Sequence, residues 1–112
     1  MESESLLKQA TVLQGQLNGI LSAFDIDEFS PEERKLTHLI KRLAIDARLD
    51  ARDFEYAETR LEQTRLGATA VKTLERLRQA ILAASEHNLF SAIDVAQITA
   101  HIEYMISKIR QE

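Results

Sequence analysis

The sequence predicts an all-α fold, an antiparallel helical bundle of about four helices with one long central helix. Three observations carry this. Apolar residues recur at alternating steps of four and three in every ordered stretch, and no stretch alternates by two. The 112 residues include one Pro and three Gly, too few for the turns of a sheet protein. Two helix starts are also marked, at Ser30-Pro31 with Glu33 and at Ser91 with Asp94.

The first helix is expected from Ser3 or Ser5 to Phe24, with Leu6, Ala10, Leu13, Leu17, Ile20 and Phe24 on one stripe. No charged side chain lies between Lys8 and Asp25. Gly15 and Gly19 stand one turn apart and open a shallow groove, a candidate contact site for another helix. Each costs a helix interior about 1 kcal/mol relative to Ala. Asp25 to Phe29 is a short acidic linker whose Ile26 and Phe29 are expected to cover the bundle end.

The long helix follows from Pro31 to about Leu66, with a seam of Leu36, Ile40, Leu43, Ala47, Asp50, Phe54, Ala57 and Leu61. Uninterrupted, it would be about 54 Å long. Its apolar phase shifts after Leu61, where Leu66, Ala70, Leu74, Leu77, Ile81 and Ala84 take over, so a break is placed near Gly67. The competing break is at Asp50 to Asp53, which would give four helices of more even length. The third helix should end at Glu86-His87-Asn88, Asn being tolerated in the left-handed region. In the last helix Phe90 and Val95 flank the cap Ser91 as a hydrophobic staple. Val95, Ile98, Ile102, Met105 and Ile109 form its seam, and Lys108 and Arg110 suit its C-terminal dipole.

Composition narrows function. The chain reads as a single helical-bundle domain, residues 1–112. With no Cys, disulfides, thiolate metal sites and a cysteine nucleophile are excluded, and a cytoplasmic setting is expected. The start Met1-Glu2-Ser3-Glu4-Ser5 is acidic where a signal peptide is basic, and no apolar run reaches the length of a membrane span. A formal net charge of −4 gives no global attraction to nucleic acid or anionic lipid.

The one suggestive cluster is basic. Arg34, Lys35, Lys41 and Arg42 lie within one helical turn of His38 on either side, and Arg48 and Arg52 continue the stripe. Residues 31 to 54 carry six Lys or Arg against five acids, while residues 1 to 30 carry one against five. This stripe is the candidate partner- or anion-binding site: an acidic protein, a phosphate or an RNA backbone would suit it. Interleaved Glu33, Asp46 and Asp50 allow the plainer reading of a solvated face. The string His38-Leu39-Ile40-Lys41 in a helical chain of this length resembles histidine phosphotransfer domains, which implies phosphate transfer through His38. The match covers four residues. Arg42 and Leu43 stand where such domains place small residues, and their later glycine is missing.

No other chemistry has a candidate. His87 and His101 lack the spacing of a metal site, so no metal and no cofactor is expected. Three scattered Gly cannot supply a phosphate loop, a dinucleotide fingerprint or a nucleophile elbow. Phe24, Phe54, Phe90 and Tyr104 fall at helical spacing and read as core, with no aromatic platform for single strands. The expected function is therefore a non-catalytic protein–protein interaction module, a small adaptor, chaperone or regulator working through helix faces. The alternatives are a nucleic-acid or anion-binding regulator using Arg34 to Arg52, and a small acidic inhibitor or immunity-type protein using Asp25, Asp27 and Glu28. A homodimer is expected too, because three shorter helices would leave the Phe54-to-Leu61 end of a 54 Å helix uncovered.

Overall fold

Four helices follow one another, joined by short turns: α1 (Leu6–Leu21), α2 (Pro31–Glu55), α3 (Arg60–Ser85) and α4 (Ala92–Gln111), with one 3-10 turn at Ile26–Glu28 between the first two. They are seen in a computed structural model that describes residues 5–111. Of the described residues 84% are helical, and no strand occurs among them. Ser3 as a helix start and the acidic residues Glu2 and Glu4 lie outside them.

Each start has a chemical cause. The Ser5 side chain accepts from the Lys8 N–H at 3.1 Å and opens α1. Ser30 and Glu33 form a full capping box: the Ser30 hydroxyl accepts from the Glu33 N–H (3.2 Å), and the Glu33 carboxylate accepts from the Ser30 N–H (2.8 Å). Ser91 caps α4 through the Asp94 N–H at 3.1 Å, and Phe90 beneath it is buried. Asn88 takes φ 61°, with Leu89 N donating to Ala84 O and Asn88 N to Ser85 O, a Schellman ending of α3.

The core is one continuous cluster. Leu6, Leu13 and Leu17 of α1 meet Ile40, Leu43 and Phe54 of α2, Leu74, Leu77 and Ile81 of α3, and Ile102 and Met105 of α4. Helix α2 packs chiefly on α3 and then on α1; α4 rests on α3 and touches α1 only lightly. At the far end of α2 the Glu55 carboxylate accepts from the Leu7 N–H of α1 at 2.6 Å, an anion held against a helix N-terminus.

The break in the long helix differs from both sequence-based placements. α2 ends at Glu55 after 25 residues and α3 restarts at Arg60, where the Thr59 hydroxyl accepts from the Glu62 N–H at 3.1 Å. Asp50 does not break the helix; its carboxylate accepts from the Thr73 hydroxyl of α3 at 2.6 Å. Nor does Gly67, which is buried inside α3 where Phe54 and Ile109 pack. A methyl group there would lie 3.0 Å from Phe54 Cε2 and 3.1 Å from Ile109 Cγ2.

Other assignments shift with it. Leu61 is 83% exposed rather than part of a seam, because it belongs to the first turn of a new helix. Phe54 is buried by its own chain. The stripe that favoured a dimer is therefore divided between two helices, with Phe54 inside and Leu61 outside. Phe24 falls beyond the end of α1 and stacks obliquely on buried Phe29, with ring centroids 5.7 Å apart. Tyr104 points to solvent on the outer side of α4, not into the core.

Candidate functional site

Helix α2 is amphipathic in two senses, apolar inward and divided by charge outward. With 100° per residue, Arg34, His38, Lys41, Ile45, Arg48 and Arg52 step by four and three and form one straight stripe. No acid lies on it. Asp46, Asp50 and Asp53 fall on the other flank, toward α3, as the Asp50–Thr73 bond requires. The stripe borders α1, because Glu55, a further heptad step along its Arg34–Lys41–Arg48 edge, reaches the α1 N-terminus. Lys35 and Arg42 sit nearer the crest of α2, both exposed.

Helix α1 adds no countercharge. Its Gly15, Gln16, Gly19 and Ile20 line a groove toward α4, so Thr11, Gln14 and Asn18 turn to the α2 side. All are uncharged. The cations along this border are accordingly unneutralised: Lys35, His38, Lys41, Arg42 and Arg48 have no carboxylate within ion-pair distance among the described residues. Arg34 donates from Nε to the Phe29 carbonyl at 3.2 Å, and Arg52 pairs with the adjacent Asp53 at 3.1 Å. Lys41 and Arg48 are half-buried, so their stems lie on the helix pair while the charged ends reach water. Ile45, with 40% of its surface exposed, interrupts the stripe at mid-length.

Gly15 and Gly19 keep the groove between α1 and α4 open: neither has another group within 4 Å of where a side chain would begin. The groove has a volume of about 330 Å³ and is closed on the α4 side by Asp94, Gln97 and Ile98. A larger cleft of about 460 Å³ opens over Gly67 between α3 and the end of α4, floored by Phe54, Val71 and Ile109. The linker acids Asp25, Asp27 and Glu28 are exposed, but the Asp25 carboxylate is engaged locally by the Asp27 N–H at 3.0 Å.

Residues 60 to 78 hold a second set of cations that the sequence reading passed over. Arg65, Lys72 and Arg76 share the outer face of α3, all exposed and without a carboxylate partner among the described residues. Five Lys or Arg against two acids over that span is the signal that marks them.

His38 is exposed, with Arg42 exposed one turn onward, so a bulky cation stands where phosphotransfer domains keep a small surface. His87 lies 3.9 Å from both Glu32 and Glu33, joining the end of α3 to the start of α2. Among the described residues no three His, Asp or Glu side chains gather as a metal site, and no helix is long and apolar enough to cross a membrane. Compared with family models, curated proteins and solved structures, the chain matches none of them.

Proposed function

We propose that this chain is a non-catalytic protein-binding module, a small cytoplasmic adaptor or regulator that docks a partner along the α1–α2 face. The observation that carries this is the stripe Arg34–Arg52, cationic along its length and bordered by an uncharged helix. Mutually repelling cations kept without counterions cost stability, and a bound acidic surface would offset that cost. The cytoplasmic setting rests on the absence of Cys.

A nucleic-acid or anion regulator is the second reading, favoured by the unpaired cations on both α2 and α3. Against it stands the net charge of −4; a lone exposed aromatic, Tyr56, continues the α2 stripe one turn beyond Arg52. Self-association is no part of the reading, since the single long helix it depended on is divided at Glu55 and Phe54 is buried by the chain itself.

The test is Lys41→Glu/Arg48→Glu compared with Lys72→Glu/Arg76→Glu, each checked for wild-type helicity. Affinity capture from the source cells should lose its acidic protein partners with the first pair and keep them with the second. Partners unchanged by the first pair would refute the assignment of this face.

A further inference from the structure

We infer that the α1–α2 face receives an acidic amphipathic helix of the partner protein, lying along the stripe with carboxylates repeating every seven residues. This rests on the docking reading above and adds the conformation and charge pattern of what docks.

The spacing of the cations argues for a helix. Arg34, Lys41 and Arg48 are seven residues apart on one straight helix, so their Cα atoms are separated by about 10 Å each along its axis. Carboxylates at successive heptad positions of a second helix repeat at the same interval and can meet all three together. An extended peptide presents same-face side chains about every 7 Å, so it can meet Arg34 and Arg48 but misses Lys41 between them. From Arg34 to Arg52 the stripe is about 27 Å long, the span of a helix of ordinary length.

The border helix suits such a guest. Thr11, Gln14 and Asn18 of α1 expose hydroxyl and amide groups that neither repel nor neutralise an incoming carboxylate. Ile45 adds one apolar contact at mid-length, so the matching residue of the guest is aliphatic, flanked by acids. A phosphate backbone would have no use for that contact. The α3 cations keep a similar spacing, Arg65 and Lys72 seven residues apart and Arg76 four further on, but the set is shorter and Glu75 lies beside it. The α2 stripe is the longer one, and from Arg34 to Arg52 it carries no acid; Glu55, at the next heptad step, is held by the Leu7 N–H.

The experiment uses the full chain and defined probes in fluorescence anisotropy at physiological salt. The first probe is a labelled three-heptad Ala/Gln peptide with two Glu in each heptad and a central Leu. The second has the same composition with a central Pro, the third has Lys for every Glu, and the fourth is a short single-stranded RNA. The helical Glu peptide is expected to bind at least about tenfold more tightly than the Pro-containing one, and the Lys peptide not at all. Lys41→Glu/Arg48→Glu should weaken the Glu peptide by about tenfold or more, Ile45→Asp by several-fold, and Lys72→Glu/Arg76→Glu by less than about twofold. If the reversed pair does not fold, Lys41→Gln/Arg48→Gln replaces it, with a loss of about fivefold expected.

Equal binding of the helical and Pro-containing peptides would overturn the helix inference and leave the docking face standing. No binding of either Glu peptide, or tight binding of the RNA alone, would overturn both. Equal losses from the α2 and α3 reversals would overturn the assignment to the stripe.

Discussion

Gly67→Ala is the substitution for which the packing and the helix propensity pull in opposite directions. Replacing Gly by Ala within a helix stabilises by about 1 kcal/mol when nothing interferes. Gly15 and Gly19 meet that condition, with no neighbouring group within 4 Å of a new methyl. At Gly67 the methyl would press on Phe54 Cε2 at 3.0 Å and Ile109 Cγ2 at 3.1 Å, inside the usual carbon–carbon distance of about 3.5–4.0 Å. Both neighbours are buried, and overpacking of this kind costs about 1–3 kcal/mol. The net effect at Gly67 is therefore a loss of about 0–2 kcal/mol, against a gain of about 1 kcal/mol at Gly15. Urea and thermal unfolding followed by far-UV circular dichroism should separate the two variants by at least about 4 °C in Tm. The cause is checked in a Phe54→Leu background, where the ring edge is gone and the penalty at Gly67 should shrink by about 0.5 kcal/mol or more. A Gly67→Ala protein stabilised as much as Gly15→Ala would refute the close approach of Phe54 and Ile109 to α3.

Other expectations follow from single contacts. Leu43→Ala should cost about 2–5 kcal/mol in urea unfolding, because Leu43 is buried at the junction of α2 with the core; a loss under about 0.5 kcal/mol with the fold intact would place it at the surface. The Thr37 hydroxyl is buried in α2 without a hydrogen-bond partner, so Thr37→Val should raise stability by about 1 kcal/mol, and a marked loss would show that the hydroxyl is satisfied. The Glu33 carboxyl is held below its ordinary value of 4.5, first by the Ser30 N–H, then by the Ser30 side chain, with the charge of His87 assisting. A lowered carboxyl favours the folded state when ionised, so its contribution is full above 4.5 and disappears as pH falls through the lower, folded value. Glu33→Gln should flatten that part of the stability–pH curve, and an unchanged acid limb would show that Glu33 does not contribute.

The helical class, the core of α1, the Asn88 ending and the Ser30 and Ser91 starts were all legible, because each depends on local periodicity or on a side chain bonding a backbone group three residues away. The α2–α3 turn was not. Tyr56 to Thr59 contain no Gly or Pro, and Ala57 and Leu61 continue the heptad of α2 by coincidence. The phase shift toward Leu66 was real, but its cause lay earlier, at Thr59 with Glu62 three residues on, a start signature as good as the one at Ser30. Gly67 misled because glycine serves two purposes. It can end a helix, or it can remove a Cβ where another element must come close; only the positions of Phe54 and Ile109 distinguish them. The cations of α2 were visible as a cluster, and their separation from Asp46, Asp50 and Asp53 follows from 100° per residue, but which neighbour lies on which flank is tertiary information.

The same contrast bears on which parts of the chain serve the fold. Gly67 is costly to helix propensity, and the packing of Phe54 and Ile109 uses the space it leaves. Gly15 and Gly19 carry a similar cost, and no packed group occupies theirs. Along α2 three acids are engaged, Asp50 by Thr73, Asp53 by Arg52 and Glu55 by the α1 N-terminus, whereas Lys41 and Arg48 have no carboxylate partner among the described residues. Swapping a stripe cation for Gln would ease repulsion without disturbing a buried contact. Residues that weaken the isolated fold with no structural return are expected at functional positions. The cations without counterions lie on the α2 flank beside α1 and on the outer face of α3, while Gly15 and Gly19 open the other side of α1, toward α4. On the docking reading proposed above, removing the repulsion along the cationic edge of α2 should stabilise the free protein while weakening its complex.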